Sequence, residues 1–197
     1  KGYILGLTGR RVDLLEALAG ELPEKAVVQV MDVSKVLDAE EQFSNLIQNL
    51  GKVDLVIIAA GTGQQNLELE SALEVETINT NVIGFTIIAG MAFNHFKNNQ
   101  KGHLVGISSI MALRGSSDAP AYSASKAGLE NLIRGLAVEA SPKRTFGISP
   151  GWVKTELGGP NAPVEIKDSF KTSLYLATLK DDGPTGGLFH GEDVLPW

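Results

Sequence analysis

Cysteine is absent from all 197 residues. Disulfides and thiolate-bound metals therefore have no part in this chain, which suits a cytoplasmic setting. Histidine is nearly as scarce. His95, His103 and His190 are scattered without ligand spacing, so no metal site is expected. Basic residues are outnumbered, with 17 Lys and Arg against 23 Asp and Glu and a net charge of −6. That balance argues against nonspecific binding to nucleic acid or to an anionic membrane. No apolar run approaches the roughly 20 residues that cross a bilayer. The stretch Val82 to Phe96 is broken by Gly84, Gly90 and Asn94 and reads as a buried helix. Nothing reads as a signal peptide, an internal repeat, a linker or a low-complexity segment.

What is present is enough for one folded domain, with 43% apolar residues to fill its core. Strand-like and helix-like segments alternate along the whole length. Short apolar runs at Tyr3–Thr8, Ala26–Met31, Val53–Ala59, His103–Ser108, Thr145–Ser149 and Gly187–His190 read as strands. Between them, Val12–Leu22, Lys35–Leu50, Ser71 to about Asn98, Ala121–Ala140 and Val164–Leu179 carry helical spacing, and Gly51 suits a helix stop. Alternation of this kind predicts a doubly wound parallel α/β sheet, three layers deep, with helices on both faces.

Open α/β sheets bind ligands at the carboxyl ends of their strands. Polar or glycine-rich signals fall at those ends: Gly9-Arg10-Arg11, Asp32-Val33, Ala59-Ala60-Gly61, Ser108-Ser109 and Pro150-Gly151. Tyr122 and Lys126 stand four apart in Tyr-Ser-Ala-Ser-Lys, on one face of a predicted helix. A free phenol has a pKa near 10, and a fixed ammonium beside it favours the phenolate. The pair can thus tune a phenol toward proton exchange at neutral pH. By itself, such a pair is ordinarily just a solvated helix face. Ser109, thirteen residues upstream of Tyr122, adds a hydroxyl at a strand tip where it can stabilise charge on a carbonyl oxygen. Asn81 lies inside a helix, where asparagine is unfavourable. It either holds a water on a proton path or bonds the backbone.

Asn81 in Asn-Val-Ile-Gly, Ser109, Tyr122 with Lys126, and Pro150-Gly151 resemble, in order and spacing, the active-site motifs of short-chain dehydrogenases/reductases. The resemblance covers essentially the whole chain. It implies a Rossmann-like single domain interconverting a carbonyl and an alcohol of a small-molecule substrate by hydride transfer with a nicotinamide cofactor. Tyr122 would exchange the proton and Lys126 would bind the nicotinamide ribose and lower the Tyr122 pKa. Ser109 would orient the substrate oxygen, and Asn81 would anchor a relay water. It further implies cofactor contacts from Asp32, Val33, Ala60, Gly61, Pro150, Gly151, Val153 and Thr155. Arg10 and Arg11 imply NADP over NAD, since a guanidinium can bond the 2′-phosphate. A homo-dimer or homo-tetramer is implied, paired through the helices Ser71–Asn98 and Ala121–Ala140.

The family's glycine fingerprint, T-G-x-x-x-G-x-G, has no match. Thr8-Gly9-Arg10-Arg11-Val12-Asp13-Leu14-Leu15 begins correctly, then carries Asp13 and Leu15 where glycines belong. In one assignment this is a degenerate fingerprint, with Asp32 the ribose-binding acid of an NAD enzyme. In the other, Tyr3–Arg11 is the family's second strand, and the glycine-rich strand and helix lie upstream. The second accounts for the order of elements that follows. Ile58-Ala59-Ala60-Gly61 also departs from the family's Asn-Asn-Ala-Gly. A chain without the glycine loop admits a rival expectation, a non-catalytic Rossmann-like protein that senses nucleotide or binds a partner.

Overall fold

The computed structural model describes residues 2–139, 144–179 and 183–196. Strands and helices alternate as the sequence pattern predicts. The order is β1 (Gly6–Gly9), α1 (Val12–Glu21), β2 (Val27–Val30), α2 (Val36–Leu50), β3 (Leu55–Ile58), α3 (Ser71–Ile78) and α4 (Phe85–Asn99). Then come β4 (His103–Ile107), α5 (Pro120–Glu139), β5 (Arg144–Ile148), α6 (Ile166–Ser169), α7 (Lys171–Ala177), β6 (Leu188–His190) and β7 (Asp193–Val194). Ala140, the expected end of the fifth helix, lies outside the described residues.

The strands form two sheets. β1 pairs in parallel with β2, and β3-β4-β5-β6-β7 form a second sheet that is parallel except for its last pair. The parallel sheet expected from the sequence is present in two parts. β1 and β3 share no ladder, and their tips border a cleft of about 350 Å³.

Alternation along the strands builds two cores. On β4, Leu104 joins Phe43, Phe85, Phe96, Leu129 and Ile133 under α2, α4 and α5, whereas Val105 joins Ile148, Leu176 and Phe189 under α7. The division leaves apolar surface uncovered next to it. Ile57 on β3 is 44% exposed, and α1 has no buried residue although it carries Val12, Leu14 and Leu18.

Three boundaries depart from the sequence reading. The first strand begins at Gly6 rather than Tyr3, with Leu5 still accepting a hydrogen bond from Val27 N–H. The predicted helix Val164–Leu179 starts only at Ile166, because Val164 is used in a parallel bridge to Val153, and it is interrupted at Phe170. The long helix after Ser71 does run to Asn99, but Asn79–Gly84 winds it as a π-helical turn between α3 and α4. Such turns concentrate at functional sites, and this one carries Asn81.

Candidate active site

The π turn buries Asn81 to 1% exposure and aims its amide at the loop after β3. Asn81 Nδ2 donates to Thr62 O at 2.7 Å and to Ser125 Oγ at 3.0 Å, and Asn81 Oδ1 accepts from Thr62 N–H at 2.7 Å. The expected alternatives for this residue were a relay water or a backbone bond. The backbone bond is present, and one oxygen lone pair stays open for a further donor. Ser125, fully buried on α5, donates a hydrogen bond to the main-chain carbonyl of Tyr122 at 2.7 Å. Asn81 therefore joins three elements: the tip of β3, the π turn and the first turns of α5. Gly84 closes the same joint, since a Cβ there would stand 2.7 Å from Val33 O.

α5 carries Tyr122, Lys126 and Glu130 one turn apart on a single stripe. Lys126 is buried, its Nζ donating to Ile107 O at 2.7 Å and lying 5.5 Å from the centroid of the Tyr122 ring. Burial lowers the Lys126 pKa to about 8, with Glu130 pulling the other way. Burial also holds the Tyr122 phenol above its ordinary pKa, and the Ser109 hydroxyl offsets part of that rise. Ser109 Oγ accepts from Met111 N–H at 3.2 Å, which leaves its proton for another acceptor. Ser109, Tyr122 and Lys126 thus meet at the tip of β4, and Gly61 faces them: a Cβ on it would lie 3.4 Å from both Asn81 Oδ1 and Lys126 Nζ. In this arrangement desolvation, rather than the ammonium, dominates the phenol's acidity.

Thr8, Gly9, Arg10, Asp32, Val33, Ala60 and Gly61 line the cleft between β1 and β3, which brings five of the expected cofactor contacts together. Burial works against ionising Asp32. Hydrogen bonds from the Ser34 hydroxyl and N–H, aided by Arg10 and Lys35, still leave its carboxyl below the usual carboxylate range. Arg11 is turned elsewhere, pairing with Glu156 at 3.2 Å on the exposed surface. After β5, Gly151 takes a φ of 89° that favours glycine, and His190 Nδ1 lies 2.8 Å from Ser149 O behind the turn. Val153 pairs with Val164, and the Thr155 hydroxyl accepts from Gly158 N–H at 3.0 Å, so both shape the loop that ends in Trp152–Gly158 contacts. Among the described residues no His, Asp or Glu cluster could hold a metal ion. Nor is any helix of the described residues long and apolar enough to cross a membrane.

Sequence reasoning missed four contributors. Ser125 sits inside a motif read only for its first and fifth positions, and Glu130 lies one helical turn beyond its end. Glu74 and Asn66 lie far from any motif. Glu74 Oε2 accepts from Ala121 N–H at 2.9 Å, and Glu74 Oε1 accepts from buried Asn66 Nδ2 at 2.6 Å. A carboxylate thereby satisfies an orphan donor in the first turn of α5, just before Tyr122. Only the acidic residue's place on α3, one layer away, could have signalled this, and that is not readable from spacing.

A family model described as short chain dehydrogenase matches residues 1–165. The 3-oxoacyl-[acyl-carrier-protein] reductase of Homo sapiens is 33% identical over 184 residues, covering 91% of this chain and 78% of that protein. An uncharacterized oxidoreductase of Mycobacterium tuberculosis is 32% identical, covering 100% of this chain and 80% of its own. The solved structure of ElxO with NADP bound shares the fold at a TM-score of 0.84 and 21% identity, covering 94% of this chain and 86% of that one. The chain belongs to the short chain dehydrogenase family and is an oxidoreductase acting on CH–OH and C=O groups.

Proposed function

We propose that this oxidoreductase interconverts a carbonyl and an alcohol with NADP(H), and that Tyr122 is its general acid and base. The observation carrying this reading is the convergence of the Tyr122 phenol, the Ser109 hydroxyl and the buried Lys126 ammonium at the tip of β4. A helix face made only for solvent has no reason to bury a lysine to 4% exposure.

The cleft fits a dinucleotide in its chemistry. Arg10 offers a guanidinium for a 2′-phosphate, and Val33 and Ala60 offer apolar contact to adenine. Gly61 leaves room beside Asn81 and Lys126 for a ribose. Binding of NADP in the solved ElxO structure is consistent with that choice. The described residues supply no glycine-rich turn for the pyrophosphate. The opening between β1 and β3 is the place for a further parallel strand bearing one, which would also cover Ile57. When bound, the nicotinamide would exchange hydride with the substrate carbon. The chain's own groups handle the oxygen. Ser109 donates to it, Tyr122 gives or takes its proton, and Lys126 counters the charge on the phenolate. Asn81 and Ser125 fix the helix turn that carries Tyr122.

Ile110, Trp152 and Leu157 are exposed apolar side chains on the loops after β4 and β5, and they suit an apolar portion of the substrate. A 3-oxoacyl thioester, the kind of group named for the human relative, is the first substrate class to test. Tyr122→Phe should lower the rate of NADPH-dependent reduction of such a thioester about 10²- to 10⁴-fold. NADPH affinity, followed by fluorescence titration, should be retained. Unchanged reduction by the Phe variant would remove Tyr122 from the mechanism.

A further inference from the structure

One buried acid is left over from the mechanism above. Glu130 is 0% exposed, one turn beyond Lys126, and neither of its carboxylate oxygens has a hydrogen-bond partner. An ionisable group without partners in the core is costly, and natural structures rarely keep one without use. The fold makes room for it deliberately. The carboxylate lies against β5 where Gly147 stands, and a Cβ at that position would collide with Glu130 Oε1. From β4 the buried Ser108 hydroxyl faces it and acts to lower its pKa. On α5 the charges acting on it are Arg134 and Lys126. Glu74 of α3 is engaged at the start of the helix with Ala121 and Asn66. Burial pushes the Glu130 carboxyl up to about 6, so it is an anion at neutral pH, and it opposes the loss of the proton from Lys126.

We propose that Glu130 is a positioning residue for the reaction, a buried counter-charge seated in the Gly147 slot that keeps the Lys126 ammonium protonated and directed past Ile107 toward Tyr122. This rests on the catalytic reading given above. Removing one negative charge lowers the pKa of every neighbouring acid, Lys126 and Tyr122 alike, so the direction of the effect is fixed.

The test is the pH dependence of kcat/KM for carbonyl reduction. In Glu130→Gln the alkaline limb should move toward lower pH by about one unit, and Glu130→Asp should recover most of that displacement. A purely structural role would lower Tm in both variants without moving the limb, and an unmoved limb in folded Glu130→Gln overturns the proposal. If the Gln variant does not fold, the wild-type enzyme labelled with ¹³C at lysine Cε gives the answer. The buried Lys126 resonance should show a second inflection near 6, where Glu130 ionises, and its absence also overturns the proposal. Tyr122→Phe run in parallel separates the two ideas. Activity lost in Phe with the limb unmoved in Gln removes only the role of Glu130. If Phe stays active, the NMR experiment still decides the coupling of Lys126 to Glu130.

Discussion

Replacing Gly84 with alanine sets two known effects against each other at one helical position. Alanine in place of glycine inside a helix is worth about 1 kcal/mol in its favour. At Gly84 the added Cβ would stand 2.7 Å from Val33 O, 2.8 Å from Val33 Cγ2 and 2.9 Å from Val33 Cβ. The first of these is backbone, so no side-chain rotation relieves it. Forcing a methyl into a packed site costs about 1–3 kcal/mol. The expected net is a destabilisation of up to about 2 kcal/mol. Gly135 supplies the control. It is exposed on α5 with nothing within 4 Å of a Cβ, so Gly135→Ala should stabilise by about 0.5–1 kcal/mol. Urea unfolding followed by circular dichroism should therefore separate the two variants by about 0.5–3 kcal/mol, with unchanged m-values. The displaced segment is Asp32-Val33, on the wall of the cleft, so the KM for NADPH should rise in Gly84→Ala and stay unchanged in Gly135→Ala. Equal stabilisation by both alanines would refute the close packing of Val33 on the π turn.

Two further predictions concern the cleft and the brace behind it. Arg10→Glu should raise the KM for NADPH about 10- to 100-fold, since a charge-assisted hydrogen bond is worth about 1.5–3 kcal/mol, while the KM for NADH stays level or falls; steady-state kinetics with both cofactors checks this. Glu74→Ala leaves Ala121 N–H and the buried Asn66 amide without their acceptor, and should cost about 1–3 kcal/mol in denaturant unfolding, with Glu74→Gln recovering part of the loss.

The elements were legible because their periods differ. Leu55–Ile58 holds apolar residues at successive positions, the pattern of a parallel strand, whereas Val36–Leu50 repeats them at helical spacing. The grouping of the proposed catalytic residues was legible because its intervals are fixed by geometry: four residues bring Tyr122 and Lys126 onto one face, and a strand tip presents Ser109 to them. The π turn was not legible. Asn-Thr-Asn-Val-Ile-Gly has no sequence period of its own, and what selects the wider winding is the fit of Asn81 to Thr62 and of Gly84 to Val33. The split between β1 and β3 falls where the assignment of Tyr3–Arg11 to the family's second strand leaves a gap in the sheet. Arg11 illustrates the reverse error. Two adjacent arginines look equivalent in sequence, yet neighbouring side chains at a helix start diverge, sending Arg10 to the cleft and Arg11 to Glu156.

The buried face of α5 makes the functional argument independently of any motif. Leu129 and Ile133 face the apolar core, as a covering helix requires, yet Ser125, Lys126 and Glu130 are buried among them at 0%, 4% and 0% exposure. Well-packed apolar residues of similar size at such positions are commonly neutral or stabilising relative to buried charges. Stability therefore does not explain this stripe. Its polar members run from the middle of the helix toward the tips of β3 and β4, where Lys126 reaches Ile107 O and Ser125 reaches Asn81. These buried charges lie along the helix face that leads to the tip of β4, and the reaction site proposed there accounts for a cost that folding alone would have removed.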